Sequence, residues 1–184
     1  ALGVPPASPD APFAGCSERD KVVKCPRSVD EFKGMPPRVW IYCFHALNPK
    51  KRKRAPGLVA FLPGATLQLN LDTRVPAESG GASLPLAASR MHVGIAFLSS
   101  FEQMGIVSLG CFSGCSCDVQ RINAHRGSLV RNASIFERHN FEVKGASSSC
   151  LLRIQVLNET DSGSHKFKVK TVTVADAGNQ IMFS

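Results

Sequence analysis

The amino-acid sequence predicts an all-β protein, a disulfide-stapled β-sandwich or jelly roll of about nine or ten short strands. Three observations predict it. Apolar and β-branched residues alternate over several short segments, no segment carries the i, i+3, i+4, i+7 stripe of an amphipathic helix, and Gly and Pro turn signals separate the segments. With 184 residues, 43% of them hydrophobic, the chain is long enough for one well-packed domain.

The composition divides the chain into three parts. Residues 1–37 hold many prolines together with Cys16 and Cys25, and we expect an extended arm followed by an irregular, disulfide-tied lead-in. Residues 38–176 are predicted to form one β-sandwich domain, and residues 177–184 a C-terminal tail. The longest apolar runs are far shorter than the roughly 18–20 residues of a membrane span.

The first predicted strand, 39–44, is rich in the aromatic and β-branched residues that suit a half-buried pleated surface. Pro63-Gly64 marks a turn between the next two, and strict alternation over 66–71 predicts one solvent-exposed face. Residues 72–89, with Gly80-Gly81, predict a long loop. In chain order, strands are predicted over 39–44, 57–62, 65–71, 90–98, 106–111, 118–122, 141–143, 150–157 and 166–174.

The last predicted strand contains the clearest alternation. Its lysines, Lys166, Lys168 and Lys170, are predicted to lie on the solvent-exposed face. The alternation then shifts by one residue at Thr171-Val172, as it does at a β-bulge.

Seven cysteines and two glycosylation triplets together favour a secretory, oxidising compartment. The triplets begin at Asn132 and Asn158. Many cysteines in a small domain are typical of an oxidising compartment, and no charged and apolar leader opens the chain, so we expect any secretion signal to have been removed. The odd cysteine is available for an intermolecular disulfide.

The densest cysteine motif is Cys111-x-x-x-Cys115-x-Cys117, with Cys150 opening a later strand. We favour two disulfides over a zinc site, because zinc modules usually use paired Cys-x(2–4)-Cys knuckles, whereas here three cysteines lie within seven residues. A bridge between Cys115 and Cys117 would strain the bond geometry. Two pairings remain open: Cys111–Cys115 with Cys117–Cys150, or Cys111–Cys117 with Cys115–Cys150.

The basic charge is concentrated in one run, which supplies five positive charges of a net +8. We interpret this run as a solvated loop between two strands that can bind polyanions. Aromatic residues that would accompany a nucleic-acid surface are sparse, with one Trp and one Tyr. The run comprises Lys50, Lys51, Arg52, Lys53 and Arg54.

No catalytic motif accompanies these features. The sequence has no Gly-x-Ser-x-Gly elbow, no Gly-Asp-Ser and no His-Glu-x-x-His. Its histidines and carboxylates are scattered without an evident partner. We therefore predict a protein that is not an enzyme and that needs no cofactor or metal.

Two stretches carry a family resemblance. Residues 97–105 read Phe-Leu-Ser-Ser-Phe-Glu-Gln-Met-Gly and precede Cys111-x-x-Gly114-Cys115-x-Cys117, and residues 160–169 read Thr-Asp-Ser-Gly-Ser-His-Lys-Phe-Lys-Val. Residues 90–174 thus resemble the C-terminal region of plant and green-algal SGNH (GDSL-like) hydrolase-family proteins. The catalytic Gly-Asp-Ser and Asp-x-x-His blocks of that family are absent from this chain. The resemblance therefore implies an accessory β-domain, without esterase activity.

These observations predict a non-catalytic secreted module of the cell surface or cell wall that binds a glycan or another extracellular protein, or serves as a structural component. The alternative is an accessory domain of a polysaccharide esterase whose catalytic domain is absent from this chain. The candidate ligand-binding residues are Trp40, Tyr42, Phe101 and Glu102. For Glu102 we expect a carboxylate that accepts backbone N–H bonds in a turn, or alternatively one that binds sugar hydroxyls.

Overall fold

The computed structural model describes residues 39–43, 56–74, 90–127 and 133–176. The N-terminal arm, Cys16 and Cys25, the basic run, Asn132 and the C-terminal tail lie outside these residues. Nine strands are described: β1 (Ile41–Cys43), β2 (Gly57–Ala60), β3 (Thr66–Leu71), β4 (Arg90–Ser99), β5 (Ile106–Ser113), β6 (Gln120–Asn123), β7 (Ile135–Lys144), β8 (Cys150–Val156) and β9 (Phe167–Asp176).

The strands form two antiparallel sheets. The five-stranded sheet has the order β1-β2-β9-β4-β7, and the four-stranded sheet has the order β3-β8-β5-β6. Over the described ranges the fold contains no helix, so the all-β prediction is confirmed. None of these segments forms a helix of the length and hydrophobicity that crossing a membrane requires.

The main core lies between the two sheets. Val93 and Ile95 of β4 face it from one sheet, and Leu152 and Ile154 of β8 face it from the other. Phe97 stacks on Phe167 of β9, with ring centroids 5.5 Å apart. Each strand alternates inward and outward residues, so each sheet has one apolar face. The two apolar faces pack together because this removes their side chains from water.

The alternation of β3 and the bulge in β9 are confirmed. The side chains of β3 alternate between exposed and half-buried along Thr66–Leu71. In the pairing of β4 with β9, Ala96 lies opposite Thr171 but Phe97 lies opposite Val169, which leaves Lys170 as the extra residue. The bulge lets Phe167 and Val169 face the core before it and Val172 and Val174 after it.

The predicted exposure of Lys166, which directly precedes β9, and of Lys168 and Lys170 within β9 is wrong for two of the three lysines. Lys168 is only 2% exposed and Lys166 is buried, whereas Lys170 is exposed. Lys168 lies opposite Val59 of β2, whose other neighbour is Ile41 of β1. Val59 and Ile41 belong to a second buried apolar cluster on the outer face of the five-stranded sheet, and Lys168 is buried beside them, so both faces of β9 are buried there. That cluster comprises Ile41, Cys43, Val59 and Phe61.

Strand β7 is longer than predicted. The sequence indicated only 141–143, but β7 pairs with β4 from Ile135 opposite Ser99 to Lys144 opposite Arg90. Its first six residues are exposed or half-buried, because β7 is the last strand of its sheet. A pattern of apolar residues cannot reveal such a segment, since the backbone pairing with β4 holds it in place.

Candidate ligand-binding face

Two disulfides stand side by side at one end of the four-stranded sheet. Cys111 pairs with Cys117 and Cys115 with Cys150, with Cα–Cα distances of 5.5 and 5.2 Å. This is the second of the two pairings that the sequence left open. The sulfur atoms of Cys111, Cys115 and Cys150 lie within 4.8 Å of one another. Because they are bonded as disulfides, they carry no thiolate charge for a zinc ion.

The loop between β5 and β6 is tied to the rest of the sandwich by further contacts. The Ser116 N–H donates to the Lys144 carbonyl at 2.9 Å, and the Lys144 N–H donates to the Ser116 carbonyl at 2.8 Å. Since Lys144 ends β7, these bonds join the loop to the five-stranded sheet. Gly114 has a φ of +76° and lies so close to the Ser149 carbonyl that a Cβ atom would collide with it. The cysteine-rich loop is therefore closely constrained.

This constrained loop holds two strongly exposed apolar side chains. Phe112, at the end of β5, is 58% exposed, and Val119, just before β6, is 75% exposed. The guanidinium of Arg153 on β8 lies over the Phe112 ring, 3.8 Å from its centroid. Exposed aromatic rings in fixed positions are common contact points for ligands.

The register of the four-stranded sheet explains how these side chains come together. Arg153 lies opposite Gln68 of β3 on one side and Gly110 of β5 on the other. A Cβ atom on Gly110 would meet only Val119, at 3.5 Å, so the sheet surface is open there. A parallel row of polar residues follows on the same face, in which Ser108 lies opposite both Gln155 and Arg121. We call the surface formed by Phe112, Arg153, Val119, Gly110 and Gln68 the Phe112 platform.

Arg153 has no carboxylate partner among the residues that the structure describes. Its Nε is buried and donates to no acceptor. Four other arginines of the same ranges form ion pairs with a carboxylate: Arg74 with Asp72, Arg90 with Glu142, Arg121 with Glu159 and Arg126 with Glu137. Arg153 is thus a cation held by an aromatic ring rather than by an acid.

Two of the predicted ligand residues, Trp40 and Tyr42, lie at the edge of the five-stranded sheet. Trp40 is half-buried and packs against the main core, with its ring edge-on to Phe167 at 6.3 Å. Its Nε1 is buried and has no hydrogen-bond acceptor. Tyr42 of β1 is 39% exposed and lies opposite Leu58.

The other two, Phe101 and Glu102, lie in the turn between β4 and β5. Phe101 is half-buried and Glu102 is exposed. The Glu102 N–H donates to the Ser100 Oγ at 3.5 Å, but within the described ranges its carboxylate accepts no backbone N–H. The expected capping contact of this carboxylate is thus not found among the described residues, and the turn contains Gln103, which adopts a φ of 57°.

The charge of Glu102 acts on a buried neighbour. Burial lowers the pKa of Lys166 below its ordinary value, and the nearby charge of Lys168 lowers it further. Glu102 and Cys43 oppose this shift. Cys43 is buried and belongs to neither of the two disulfides. Trp40 and Glu102 thus lie near the start of β9, away from the Phe112 platform.

Asn158, the described glycosylation candidate, is exposed in the turn that follows β8. The hydroxyl of its triplet residue Thr160 donates to the Ser164 carbonyl at 2.5 Å and accepts the Ser164 N–H at 3.1 Å. The turn is therefore ordered while the Asn158 side chain remains accessible.

Sequence reasoning missed both central residues of the platform. A signal for Arg153 was present, because β8 alternates the buried Cys150, Leu152, Ile154 and Val156 with outward-facing residues. Phe112 carried no such signal, because in the sequence it is one of the residues between Cys111 and Cys115. Its pairing with Arg153 depends on the adjacency of β5 and β8, which are separated by two strands in the sequence.

None of the protein families that sequence models describe matches this chain, and no curated protein matches it in sequence. Its function is therefore inferred from the geometry of the described residues.

Proposed function

We propose that this protein is a non-catalytic, secreted β-sandwich module that binds a glycan on the outer face of its four-stranded sheet. The observation that carries the proposal is Phe112, an aromatic ring that is 58% exposed yet held between two disulfides. A sugar ring that packs on it would remove apolar surface from water, a gain of roughly 25 cal/mol per Å².

Preorganisation makes this ring a better contact than an exposed side chain on a flexible loop. The loop residues that carry Phe112 are already fixed by the disulfides and by the Ser116–Lys144 hydrogen bonds. The residues around Phe112 therefore lose little conformational entropy when a ligand binds. The outward-facing Gln68, Ser108 and Gln155 supply donors and acceptors for sugar hydroxyls beside the ring.

The extracellular location is supported by the disulfides and by the accessible Asn158. The resemblance of residues 90–174 to SGNH hydrolase-family proteins favours a second candidate, an accessory domain that positions a polysaccharide esterase on its polymer. Both candidates require the same glycan contact, and they differ in whether a catalytic domain accompanies the module.

The test compares Phe112→Ala with two control variants, Phe136→Ala and Tyr42→Ala. Phe136 and Tyr42 are each 39% exposed, and both lie on the five-stranded sheet. We expect affinity electrophoresis on a panel of neutral and acidic cell-wall polysaccharides to show binding by wild type and both controls. Phe112→Ala should bind about tenfold or more weakly.

Two results would contradict the proposal. One is the absence of binding to every polysaccharide of the panel. The other is undiminished binding by Phe112→Ala. If Tyr42→Ala alone abolished binding, the site would lie at the edge formed by β1, where the sequence first indicated it. Equal melting temperatures of the three variants would establish that any difference in binding does not arise from unfolding.

A further inference from the structure

We propose that the Phe112 platform recognises an acidic sugar, a uronate residue whose carboxylate is bound by Arg153. This inference rests on the proposed function and names its ligand class. It follows from the state of Arg153 in the protein: a guanidinium fixed in place, with no acidic partner among the described residues.

The position of Arg153 is set before any ligand arrives. Its guanidinium lies 3.8 Å from the centroid of the Phe112 ring, and its backbone lies in a central strand between Gln68 and Gly110. The planar guanidinium presents a fork of donors that matches a carboxylate bidentately. A ligand that packs on Phe112 therefore has a carboxylate-binding group directly beside it.

The charges around Arg153 favour a single carboxylate over a densely sulfated polymer. Arg121 is the other cation on the described strands of this sheet, and it is paired with Glu159 at 2.8 Å. Binding of heavily sulfated chains usually depends on clusters of lysine and arginine. One unpaired guanidinium next to an aromatic ring and polar side chains fits a sugar that carries one acidic group per residue.

The matched control for Arg153 is Arg138. It is the other described arginine without an ion pair, and it lies on β7 in the five-stranded sheet, opposite Ala96. Substituting either arginine removes the same charge from the protein. A general effect of net charge on polyanion binding would therefore appear equally in both variants.

The experiment uses polygalacturonate and its methyl ester, two probes that differ in the charge of the carboxyl group. Isothermal titration of the wild type should show roughly tenfold or greater preference for the acidic polymer. Arg153→Gln should abolish this preference, Arg153→Lys should lose most of it because the fork is gone, and Arg138→Gln should retain it. Thermal melts of all variants check folding.

The outcomes separate this inference from the proposed function. If the wild type bound both polymers equally and this binding required Phe112, the preference for an acidic sugar would be wrong. The proposed glycan binding would still hold. If no glycan binding depended on Phe112, the proposed function itself would fail. If the preference survived Arg153→Gln but disappeared when residues 50–54 were neutralised, the basic run would be the anion site and the inference would be wrong. Stronger competition by a sulfated polymer than by polygalacturonate would also contradict the inference.

Discussion

Each sheet of the sandwich carries one cation–aromatic pair among its described residues, and the two pairs differ in their surroundings. On the four-stranded sheet, Arg153 lies 3.8 Å from the centroid of Phe112. On the five-stranded sheet, the ammonium of Lys170 lies 4.7 Å from the centroid of Phe136. Each pair includes the extra residue of a β-bulge, Phe112 of β5 and Lys170 of β9, but among the described residues only the first pair adjoins two disulfides.

The difference shows what turns an exposed aromatic ring into a candidate binding site. A cation above a ring contributes only about 0.5–1 kcal/mol at an exposed position, so the contact by itself distinguishes neither pair. Around Phe112 the loop is constrained, the neighbouring Gly110 leaves the surface open, and the cation is a guanidinium fork. Around Phe136 the cation is a flexible ammonium, and no disulfide adjoins the ring among the described residues.

Removing the disulfides should produce the largest loss of stability. The disulfides are also the clearest difference between the surroundings of the Arg153–Phe112 pair and those of the Lys170–Phe136 pair. The Cys115–Cys150 bridge spans 35 residues of sequence and the Cys111–Cys117 bridge spans 6. We expect replacement of the first pair by alanine to lower the free energy of unfolding by about 4 kcal/mol, and of the second by about 2 kcal/mol. Urea denaturation measures both.

Glycan binding should fall in both of these double variants, since each loosens the loop that holds Phe112. Equal stabilities for the two variants would contradict the dependence on loop length. Full binding by either variant would show that Phe112 does not need the disulfide frame.

The glycines of two turns give a smaller and more local test. Gly114 and Gly163 both adopt positive φ, at +76° and +73°. A Cβ atom on Gly114 would collide with the Ser149 carbonyl, whereas a Cβ on Gly163 would have open space within 4 Å, apart from its own chain neighbours. Gly163→Ala should cost about 1 kcal/mol from backbone strain alone, and Gly114→Ala roughly 2–4 kcal/mol.

Chemical denaturation measures this difference, and glycan binding should decline only in Gly114→Ala, whose turn lies beside Phe112. If both alanine variants lost the same stability, the close approach of Gly114 to Ser149 would not exist in solution.

Lys166, which directly precedes β9, provides the smallest test and concerns the five-stranded sheet. Because the pKa of Lys166 is lowered in the folded protein, the unfolded chain binds more protons between the folded and unfolded pKa values. The Lys166 charge therefore destabilises the fold at neutral pH, and this cost declines as pH rises toward 10.5. Lys166→Met should stabilise the protein by about 1 kcal/mol at pH 7.

The gain should shrink in melts at higher pH, and Lys170→Met, at an exposed position, controls for the loss of one lysine charge. A Lys166→Met variant that is less stable than wild type at every pH would mean that the ammonium is stabilised by its neighbours.

The local alternation of apolar and polar residues was enough to predict those strands whose outward face is exposed to solvent. The alternation of β3 and the register shift of β9 could be predicted because each side chain there follows the simple inward and outward rule. The rule failed at Lys168, because pairing with β2 places it beside a second buried cluster that no local pattern reveals.

The same limit applies to the candidate site. The four cysteines could be recognised as a disulfide cluster, but the choice between two pairings required the relative positions of β5 and β8. Trp40, the single tryptophan, was predicted to bind a ligand, yet it packs against the main core. Phe112 and Arg153 become a pair only through sheet topology.

The bulge at Lys170 affects how β9 aligns with the strands of other proteins. Without that one residue, β9 would read Phe-Lys-Val-Thr-Val-Thr-Val, an uninterrupted alternation from Phe167 to Val174. A homologous strand lacking the bulge would therefore match β9 only if a gap of one residue were placed at Lys170. An ungapped alignment would place inward-facing residues opposite outward-facing ones over half of the strand. Homologous strands would then receive a low alignment score in this region.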